Sequence, residues 1–365
     1  MKLYARSKIY IAVTASLLSV AGLSSVLAAQ ANDSAIDNAE AQAREAWRET
    51  MHQLSTPDTG CFHASYPSTE WEKVECAEPP AYRSGRPNPE QTVGNGYDYV
   101  AQAPSGHLLT LAVGSFPIVT GVTSEKGVNV PFGGGESDGI TGKNEYTLQV
   151  NTNFANTSAC DGYPDCLAWQ QYVVSTNTPV SLTGDKLSGK TEVFIEYWLI
   201  NYGIDNGEDI CPAGFIDIGP SGEGGDDCVQ NTPAAVVYKG QLPITDLASL
   251  QLSGSAAAKG TDKATATFDT EAYTATVKDS YTDISSAWIQ AEFNVLGNAG
   301  GSRADFNTGS SLTVKVALTD GSTTKPTCVS PSEYDGTTGE TNNLKLGKCT
   351  GTGGSTPHIE FTESN

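Results

Sequence analysis

The chain has little positive charge. Its 365 residues include 21 Lys and Arg against 42 Asp and Glu, which gives a formal net charge of −21 at pH 7. A surface this acidic repels phosphate backbones and anionic lipids, so nucleic acids and membrane surfaces are poor partners. Solubility outside the cell would explain the excess of carboxylates. Tolerance of acid would also explain it, because many carboxylates are neutral there.

The sequence also lacks the usual patterns of metal ligands. Its four histidines are scattered, and no Cys-x-x-Cys occurs, which argues against a zinc site. Two acidic loops, 205–209 and 223–227, lie near Cys211 and Cys228 and leave Ca²⁺ open as an alternative, although their spacing matches no EF-hand. We therefore predict no cofactor, with Ca²⁺ at these loops as the alternative.

Only one long apolar run occurs, at the N-terminus. Three cations within the first eight residues precede the uncharged run 9–27, and Ala29-Gln30-Ala31 follows as a small-residue cleavage site. This order is typical of an export signal over residues 1–31, although the run is nearly long enough for a membrane anchor. Cleavage would leave 18 Lys and Arg against 42 Asp and Glu, a net charge of −24. We predict a secreted protein, extracellular or periplasmic, that makes no membrane contact once the signal is removed.

Eight cysteines fall into four close pairs along the chain. An even number in an exported protein indicates disulfides, although sequence alone permits 105 connectivities. We predict that neighbours pair, each bond closing a short loop: Cys61 with Cys76, Cys160 with Cys166, Cys211 with Cys228, and Cys328 with Cys349.

Helical periodicity is confined to residues 35–54, within an N-terminal segment 32–60 that either packs on the fold or serves as a pro-segment. A Pro-rich stretch, 61–91, is predicted to be a disulfide-stapled linker, and 326–365 a Gly- and Thr-rich extension clipped by a disulfide. Short alternating runs rich in Thr, Val and Tyr fill 92–325 and predict an antiparallel β-sandwich. The predicted strands are 108–113, 146–154, 168–175, 192–201, 234–239, 250–255, 264–268, 272–278, 286–296 and 311–318, with 358–361 as a possible edge strand.

Two enzyme motifs occur without the flanks that they need. Residues 184–191 match the phosphate-binding pattern G-x-x-x-x-G-K-[ST], but a strand-like segment follows where a helix is required. Residues 135–139 match G-x-S-x-G in a Gly-rich loop without the strand and helix of a nucleophile elbow. We interpret the first as a hairpin loop and the second as an exposed turn.

Four segments carry a family resemblance. The strand 146–154 places Tyr146, Leu148 and Val150 on one face, with Thr147, Gln149, Asn151 and Asn153 on the other. Ala-Trp at 168–169, Trp-Ile-Gln-Ala-Glu-Phe at 288–293 and Ala-Asp-Phe at 304–306 follow in order. These segments resemble the glutamic peptidases (eqolisins), which are secreted acid proteases, and the resemblance implies their concanavalin-like β-sandwich.

The resemblance also implies a mechanism. A Glu carboxylate activates water as a general base, and a Gln amide holds the oxygen of the tetrahedral intermediate. Gln149 occupies the second position, whereas the position of the Glu falls on Ala291, which cannot take a proton. Glu292 is adjacent, and in a regular strand adjacent side chains face opposite sides, so a β-bulge would be needed to turn it toward Gln149. We predict Gln149 and Glu292 as the catalytic pair on that condition.

Further polar and aromatic side chains are predicted to contact a substrate. They are Asn151, Trp169, Gln171, Glu196, Trp198 and Trp288. The sequence leaves three functions open: an acid endopeptidase acting on extracellular protein, a non-catalytic module that binds glycan or peptide, and a glycan hydrolase using Glu196 and Glu292.

Overall fold

The computed structural model describes seven parts of the chain: 38–81, 98–130, 139–181, 186–204, 207, 210–330 and 340–365. The predicted export signal, 1–31, lies outside them. Among the described residues, no helix is both long and apolar enough to cross a bilayer. The chain divides into two compact units, Met1–Glu49 and Thr50–Asn365.

The first unit is helical where it is described. Helix α1 covers 38–53, close to the predicted 35–54, and its last turn belongs to the second unit. Arg44 pairs with Glu40 at 3.0 Å and Arg48 with Glu45 at 3.2 Å, which are spacings of one helical turn. Such exposed pairs stabilise a helix by only about 0.3–0.5 kcal/mol each.

The second unit contains three sheets. Sheet I has the order β2-β1-β15-β14-β13-β4-β18-β22-β21 and is antiparallel throughout. Its strands are β1 (Gly60–Ser65), β2 (Glu72–Val74), β4 (Leu111–Thr120), β13 (Leu250–Ser255), β14 (Thr261–Phe268), β15 (Glu271–Lys278), β18 (Ser311–Thr319), β21 (Lys345–Thr352) and β22 (His358–Ser364).

Sheet II has the order β10-β11-β9-β8-β7-β16-β3-β19, with β12 also paired to β9, and is likewise antiparallel. Its strands are β3 (Val100–Gln102), β7 (Tyr146–Thr152), β8 (Leu167–Ser175), β9 (Thr191–Tyr202), β10 (Ile216–Pro220), β11 (Asp226–Asn231), β12 (Ala235–Tyr238), β16 (Gln290–Gly297) and β19 (Thr327–Val329).

Sheet III is smaller and includes a parallel pair, β17 with β20. Its strands are β5 (Glu125–Asn129), β6 (Gly142–Lys143), β17 (Ser302–Phe306) and β20 (Thr341–Asn342). Three 3₁₀ turns, Ser158–Cys160, Ile244–Ser249 and Ile284–Ser286, complete the regular structure of the described residues.

Sheets I and II pack face to face around one apolar core. Leu148 and Val150 of β7 and Leu250 and Leu252 of β13 meet in it, as the alternation of both strands predicts. Each fully buried side chain of this size stabilises the fold by about 1.5–3 kcal/mol. The predicted fold class, an all-β antiparallel sandwich with a short N-terminal helix and disulfide-clipped loops, is confirmed.

The sandwich extends beyond the range 92–325 at both ends. β1 and β2 come from the predicted linker, and β19, β21 and β22 come from the predicted extension. The segment 358–361 does form a strand, but β22 lies between β18 and β21 rather than at the edge. β2 and β19 have only three residues each and β21 is rich in Gly and Lys, so these three strands are placed by their partners more than by their own propensity.

The cysteines pair as predicted. Disulfides join Cys61 to Cys76, Cys160 to Cys166, Cys211 to Cys228 and Cys328 to Cys349, and no cysteine is left free. The last bond connects β19 of sheet II to β21 of sheet I, so it links the two layers. Four disulfides are typical of a protein that folds in an oxidising compartment.

Candidate functional site

The outer face of sheet II carries a row of polar side chains. Paired positions run across five neighbouring strands: Glu292 of β16 lies opposite Asn151 of β7, which lies opposite Gln171 of β8, then Glu196 of β9 and Asn231 of β11. Directly paired residues of antiparallel strands share a face, so these five side chains form one line, here called the polar row.

Hydrogen bonds connect one end of the polar row into a network. Asn151 Nδ2 donates to Glu292 Oε2 at 2.6 Å and to Gln149 Oε1 at 3.3 Å. Gln171 Nε2 donates to Gln149 Oε1 and to Asn151 Oδ1, both at 3.0 Å. The amides therefore hold one another and leave a single carboxyl group, that of Glu292, at the end of the network.

Glu292 and Gln149 lie on the same face of the sheet. The pairing of β16 with β7 continues without a register shift from Ala291 to Gly297, so no bulge is present there. Ala291 and Phe293 instead point into the core, where Phe293 packs against Phe116 with ring centroids 5.0 Å apart. The expectation that Glu292 needs a bulge to reach the Gln149 side is wrong. In the regular strand β16 it is Glu292 that faces this side, whereas Ala291 faces the core.

A pocket opens beside the polar row. Gln149, Gln171 and Glu196 contribute its polar wall, and Val173 and Phe194 contribute apolar wall between them. The pocket is small and open to solvent, with a cavity volume of about 60 Å³. Amides on its wall donate and accept hydrogen bonds without charge, which suits a ligand with a peptide or sugar backbone.

Gln149 lines the pocket, and the hydrogen-bond network holds its side-chain amide in place. Its Nε2 donates one hydrogen to Thr147 Oγ1 at 3.0 Å, while its Oε1 accepts from the neighbouring amides. Thr147 also lines the pocket and donates its hydroxyl hydrogen to the Gly297 carbonyl at 2.8 Å. An amide nitrogen fixed in this way can donate its second hydrogen to a ligand oxygen without further ordering.

Glu292 is closed off from solvent, and a second acid adjoins it. Glu292 has no exposed surface, and Asp98, just before β3, is 3% exposed. The carboxyl groups of Asp98 and Glu292 are hydrogen-bonded to each other. Asn294 Nδ2 donates to Asp98 Oδ1 at 2.5 Å and to Glu363 Oε2 at 3.1 Å, which brings a third buried acid into the cluster.

Burial raises the pKa of two acids of this cluster, Asp98 and Glu363. Burial raises the pKa of Asp98 well above its usual range, and the neighbouring charges of Glu292 and Glu363 raise it further. Burial raises the pKa of Glu363 to about 7, against the opposing effect of the hydrogen bond from Asn294. Sequence reasoning identified neither Asp98 nor Glu363 as part of the site.

Glu196, at the far side of the polar row, is a partly exposed acid on the pocket wall. Burial of its carboxyl group raises its pKa to about 7, while hydrogen bonds from Trp198 and Asn231 lower it. Trp198 Nε1 donates to Glu196 Oε1 at 2.9 Å. Three strand steps of about 4.8 Å each separate Glu196 from Glu292, which is too far for the carboxyl pair of a glycan hydrolase.

The three predicted substrate-binding tryptophans lie inside the protein. Trp169 and Trp198 form a small apolar cluster with Ile200 and Val229 and have no exposed surface. Trp288 packs in the main core against Tyr172, with ring centroids 5.8 Å apart. None of these rings is accessible for stacking on a sugar in this conformation.

The phosphate-loop match leads into a strand. Its residues 184–185 lie outside the described residues, and its last residue, Thr191, is the first residue of β9, so a strand and not a helix follows. Asp226 and Asp227 start β11, and Asp227 Oδ1 accepts from the Asn201 backbone N–H. Four residues of the first acidic loop (205–206 and 208–209) and most of the 135–139 motif lie outside the described residues. Within the described ones, no three His, Cys, Asp or Glu side chains cluster as metal ligands.

The geometry defines a sandwich with an amide-rich pocket and a buried acid cluster on one sheet face. No protein-family model and no curated protein matches the chain. Among solved structures it is similar to scytalido-glutamic peptidase with a transition-state analogue inhibitor (13% identity, 74% of this chain, 100% of that chain, TM-score 0.26). It is also similar to SCP-B, a member of the eqolisin family of peptidases, in complex with a tripeptide (13% identity, 74% and 98% coverage, TM-score 0.27). TM-scores this low do not define the chemistry, which must be inferred from the side chains of this chain.

Proposed function

We propose that this chain is an acid endopeptidase that acts on extracellular protein, with Glu292 as general base and Gln149 as oxyanion stabiliser. The observation that carries the proposal is the position of Glu292 on the Gln149 face, joined to it through Asn151. A carboxylate and an amide donor fixed on one face are the two groups that peptide hydrolysis by activated water requires.

Glu292 and Gln149 are sufficient for each proton transfer and charge stabilisation that the reaction needs. The Glu292 carboxylate takes a proton from water while the water oxygen bonds to the carbonyl carbon of the peptide. The carbonyl oxygen becomes an oxyanion and accepts a hydrogen bond from Gln149 Nε2. The protonated Glu292 then gives its proton to the leaving nitrogen, the C–N bond breaks, and Glu292 is an ionised carboxylate again.

The polar row favours an extended peptide as the substrate. Gln149 and Gln171 of sheet II line the pocket, and their side-chain amides are the kind of group that pairs with the N–H and C=O groups of a peptide main chain. Glu196, with its raised pKa, is neutral in acid and does not repel an acidic peptide there. These features support acid conditions for binding as well as for chemistry.

Access to Glu292 sets a condition on the proposal. The pocket reaches Gln149 and Gln171, whereas Asn151 and Glu292 have no exposed surface. The described conformation is therefore a closed form, and hydrolysis requires that Glu292 be uncovered. Assays must accordingly include protein incubated in acid, and protein treated briefly with a second protease, beside protein as purified.

The closed acid cluster also favours a second candidate, a non-catalytic module that binds peptide or glycan in the pocket. Gln149, Gln171 and Glu196 face the pocket without any help from Glu292. The buried positions of Trp169 and Trp198 remove the stacking platforms of a typical glycan site, which favours the peptide form of this candidate.

The test is cleavage of denatured casein from about pH 3 to pH 7, with Glu292→Gln as the critical variant. We expect acid-dependent cleavage that falls by at least about 10²-fold in Glu292→Gln, since the amide cannot take a proton. Glu360→Gln is the matched control, because Glu360 is an exposed acid on β22. Equal activity in the wild type and Glu292→Gln would reject the mechanism, and no cleavage under any of the three treatments would favour the binding module.

A further inference from the structure

The acid cluster contains a carboxyl–carboxyl contact that the proposed mechanism does not use. Asp98 comes two residues before Val100, which pairs with Glu292 of β16. Its carboxyl group is hydrogen-bonded to that of Glu292. Two carboxyl groups can form this bond only if at least one of them is protonated. The contact therefore requires a proton on one of the two acids.

We propose that Asp98 is a positioning residue for Glu292: the two carboxyl groups share one proton, and the hydrogen bond from protonated Asp98 holds Glu292 ionised and in place as the general base. This inference rests on the proposed function for its role in catalysis. The shared proton itself can be tested without any activity.

The surroundings favour Asp98 as the proton holder. Asn151 Nδ2 donates to Glu292 at 2.6 Å, which stabilises the ionised form of Glu292. Asn294 Nδ2 donates to Asp98 Oδ1 at 2.5 Å and so opposes the rise in the pKa of Asp98, but burial and the charges of Glu292 and Glu363 outweigh this hydrogen bond. The titratable groups that act on Asp98 from the packed strands are Glu292 of β16 and Glu363 of β22, and both are acids that oppose a second negative charge.

The arrangement predicts how activity depends on pH. At low pH both acids are protonated and Glu292 cannot accept a proton from water. At intermediate pH the pair holds one proton, and Glu292 is the base. At higher pH the second proton leaves, the two carboxylates repel, and Glu292 loses its donor. The activity profile is then bell-shaped, with both limbs belonging to the pair.

The variant Asp98→Asn separates these states. The Asn amide keeps donating to Glu292 at every pH, as protonated Asp98 does, and its oxygen still accepts from Asn294. We expect Asp98→Asn to retain activity and to extend the alkaline limb of kcat/KM upward by about one pH unit or more. Asp98→Ala, which lacks the hydrogen bond, should lose about ten- to a hundredfold in kcat with little change in KM.

Asp262→Asn is the matched control. Asp262 forms a second carboxyl contact with Asp279 in the core, away from the polar row, and accepts from the Tyr197 hydroxyl at 3.2 Å. This variant makes the same chemical change in a buried acid pair and should leave the pH profile of activity unaltered. An alkaline limb that does not move in Asp98→Asn, or that moves equally in Asp262→Asn, would overturn the positioning role.

An infrared measurement tests the pair independently of hydrolysis. At pH 7 the wild type should show a protonated-carboxyl band that decreases in Asp98→Asn. If the chain hydrolyses nothing but the band decreases, the proposed function fails and the shared proton stands. If the band is the same in both proteins, the shared proton is rejected whatever the activity.

Discussion

Among single residues, Gln149 offers the most direct test of the proposed mechanism. Its amide donates to Thr147 and accepts from Asn151 and Gln171, but it is not part of the apolar core. We expect Gln149→Ala to lower kcat by about 10²- to 10³-fold, as loss of one oxyanion donor does.

The control for this change is Gln290→Ala. Gln290 lies on β16 and donates to Gln102 Oε1 at 2.7 Å, outside the polar row, so its loss removes an amide of the same size from the same sheet. Steady-state kinetics on one casein-derived peptide would measure both variants. Equal kcat for Gln149→Ala and the wild type would remove Gln149 from the mechanism.

At this scale the sequence indicated Gln149 and Glu292 as a candidate pair, whose catalytic roles stay a prediction, and gave no indication of the side chains around them. Period-two alternation placed Gln149 on the polar side of β7, and the structure agrees. The side on which Glu292 lies depends on which residue of β16 pairs with Asn151, and that register is set between strands about 140 residues apart. Asp98 carries no local signal, because it becomes part of the site only through pairing with β16.

At the scale of elements, two glycines set how closely the sheets approach. A Cβ on Gly114 of β4 would lie 2.0 Å from the ring of Phe293, and one on Gly254 of β13 would lie 2.0 Å from the ring of Tyr172. Both rings belong to sheet II, so each glycine of sheet I makes room for an aromatic side chain of the other layer. The backbone at neither position has a positive φ, so space alone is at issue.

We expect Gly254→Ala to lower the free energy of unfolding by about 1–3 kcal/mol, the usual cost of overpacking a core. Gly240→Ala is the control, because its added Cβ would meet only the Tyr238 ring at 3.4 Å, and it should change stability by less than about 0.5 kcal/mol. Urea unfolding curves measure both. A stable Gly254→Ala protein would show that Tyr172 can move aside and that the layers are less tightly packed than they appear here.

The disulfides differ in what they connect. Cys328 and Cys349 are 21 residues apart and join a strand of each large sheet, whereas Cys160 and Cys166 are 6 residues apart within one connection. Chain entropy predicts a loss of about 3 kcal/mol on removing the first bond and about 2 kcal/mol on removing the second, each as a double Cys→Ala variant. Thermal unfolding would measure the order, and the reverse order would mean that native packing outweighs loop length.

Strands with strong alternation were predicted well from the sequence, and those that depend on a partner were not. The segment 250–255 agrees with β13 at both ends, and 311–318 falls one residue short of β18. β1, β19 and β21 were missed because Gly, Lys and Cys interrupt their apolar pattern. β1 and β19 also pair with strands far away in the chain, β15 and β3.

At the scale of the whole molecule, the buried acids and the net charge of −21 both make the folded state less stable as the pH rises. Burial raises the pKa of Glu125 to about 8 and those of Glu196 and Glu363 to about 7, and it raises those of Asp98 and Asp262 well above their usual range. In the unfolded chain the same groups titrate near pH 4. At pH 6 the folded state therefore binds more protons than the unfolded state.

The raised pKa values determine how the stability of the fold changes with pH. A pKa raised by folding contributes stability that is fully present below the unfolded pKa and is lost as the pH rises through the folded pKa. The window for this loss is about pH 4 to pH 8, from the unfolded values to that of Glu125. Burial lowers the pKa of Lys263 to about 8, so the opposite contribution of that group begins only above this window.

We therefore expect the free energy of unfolding, measured by urea titration, to be highest near pH 4–5. It should fall continuously to pH 8, by several kcal/mol. Glu125→Gln should remove a few kcal/mol of that decline, because the amide has no proton to lose, whereas the exposed Glu360→Gln should leave it unchanged. A stability maximum at pH 7 would contradict the raised pKa values as a group. A maximum in acid would mean that the fold itself, and not only the Asp98–Glu292 pair, is built to keep its protons where an acid peptidase works.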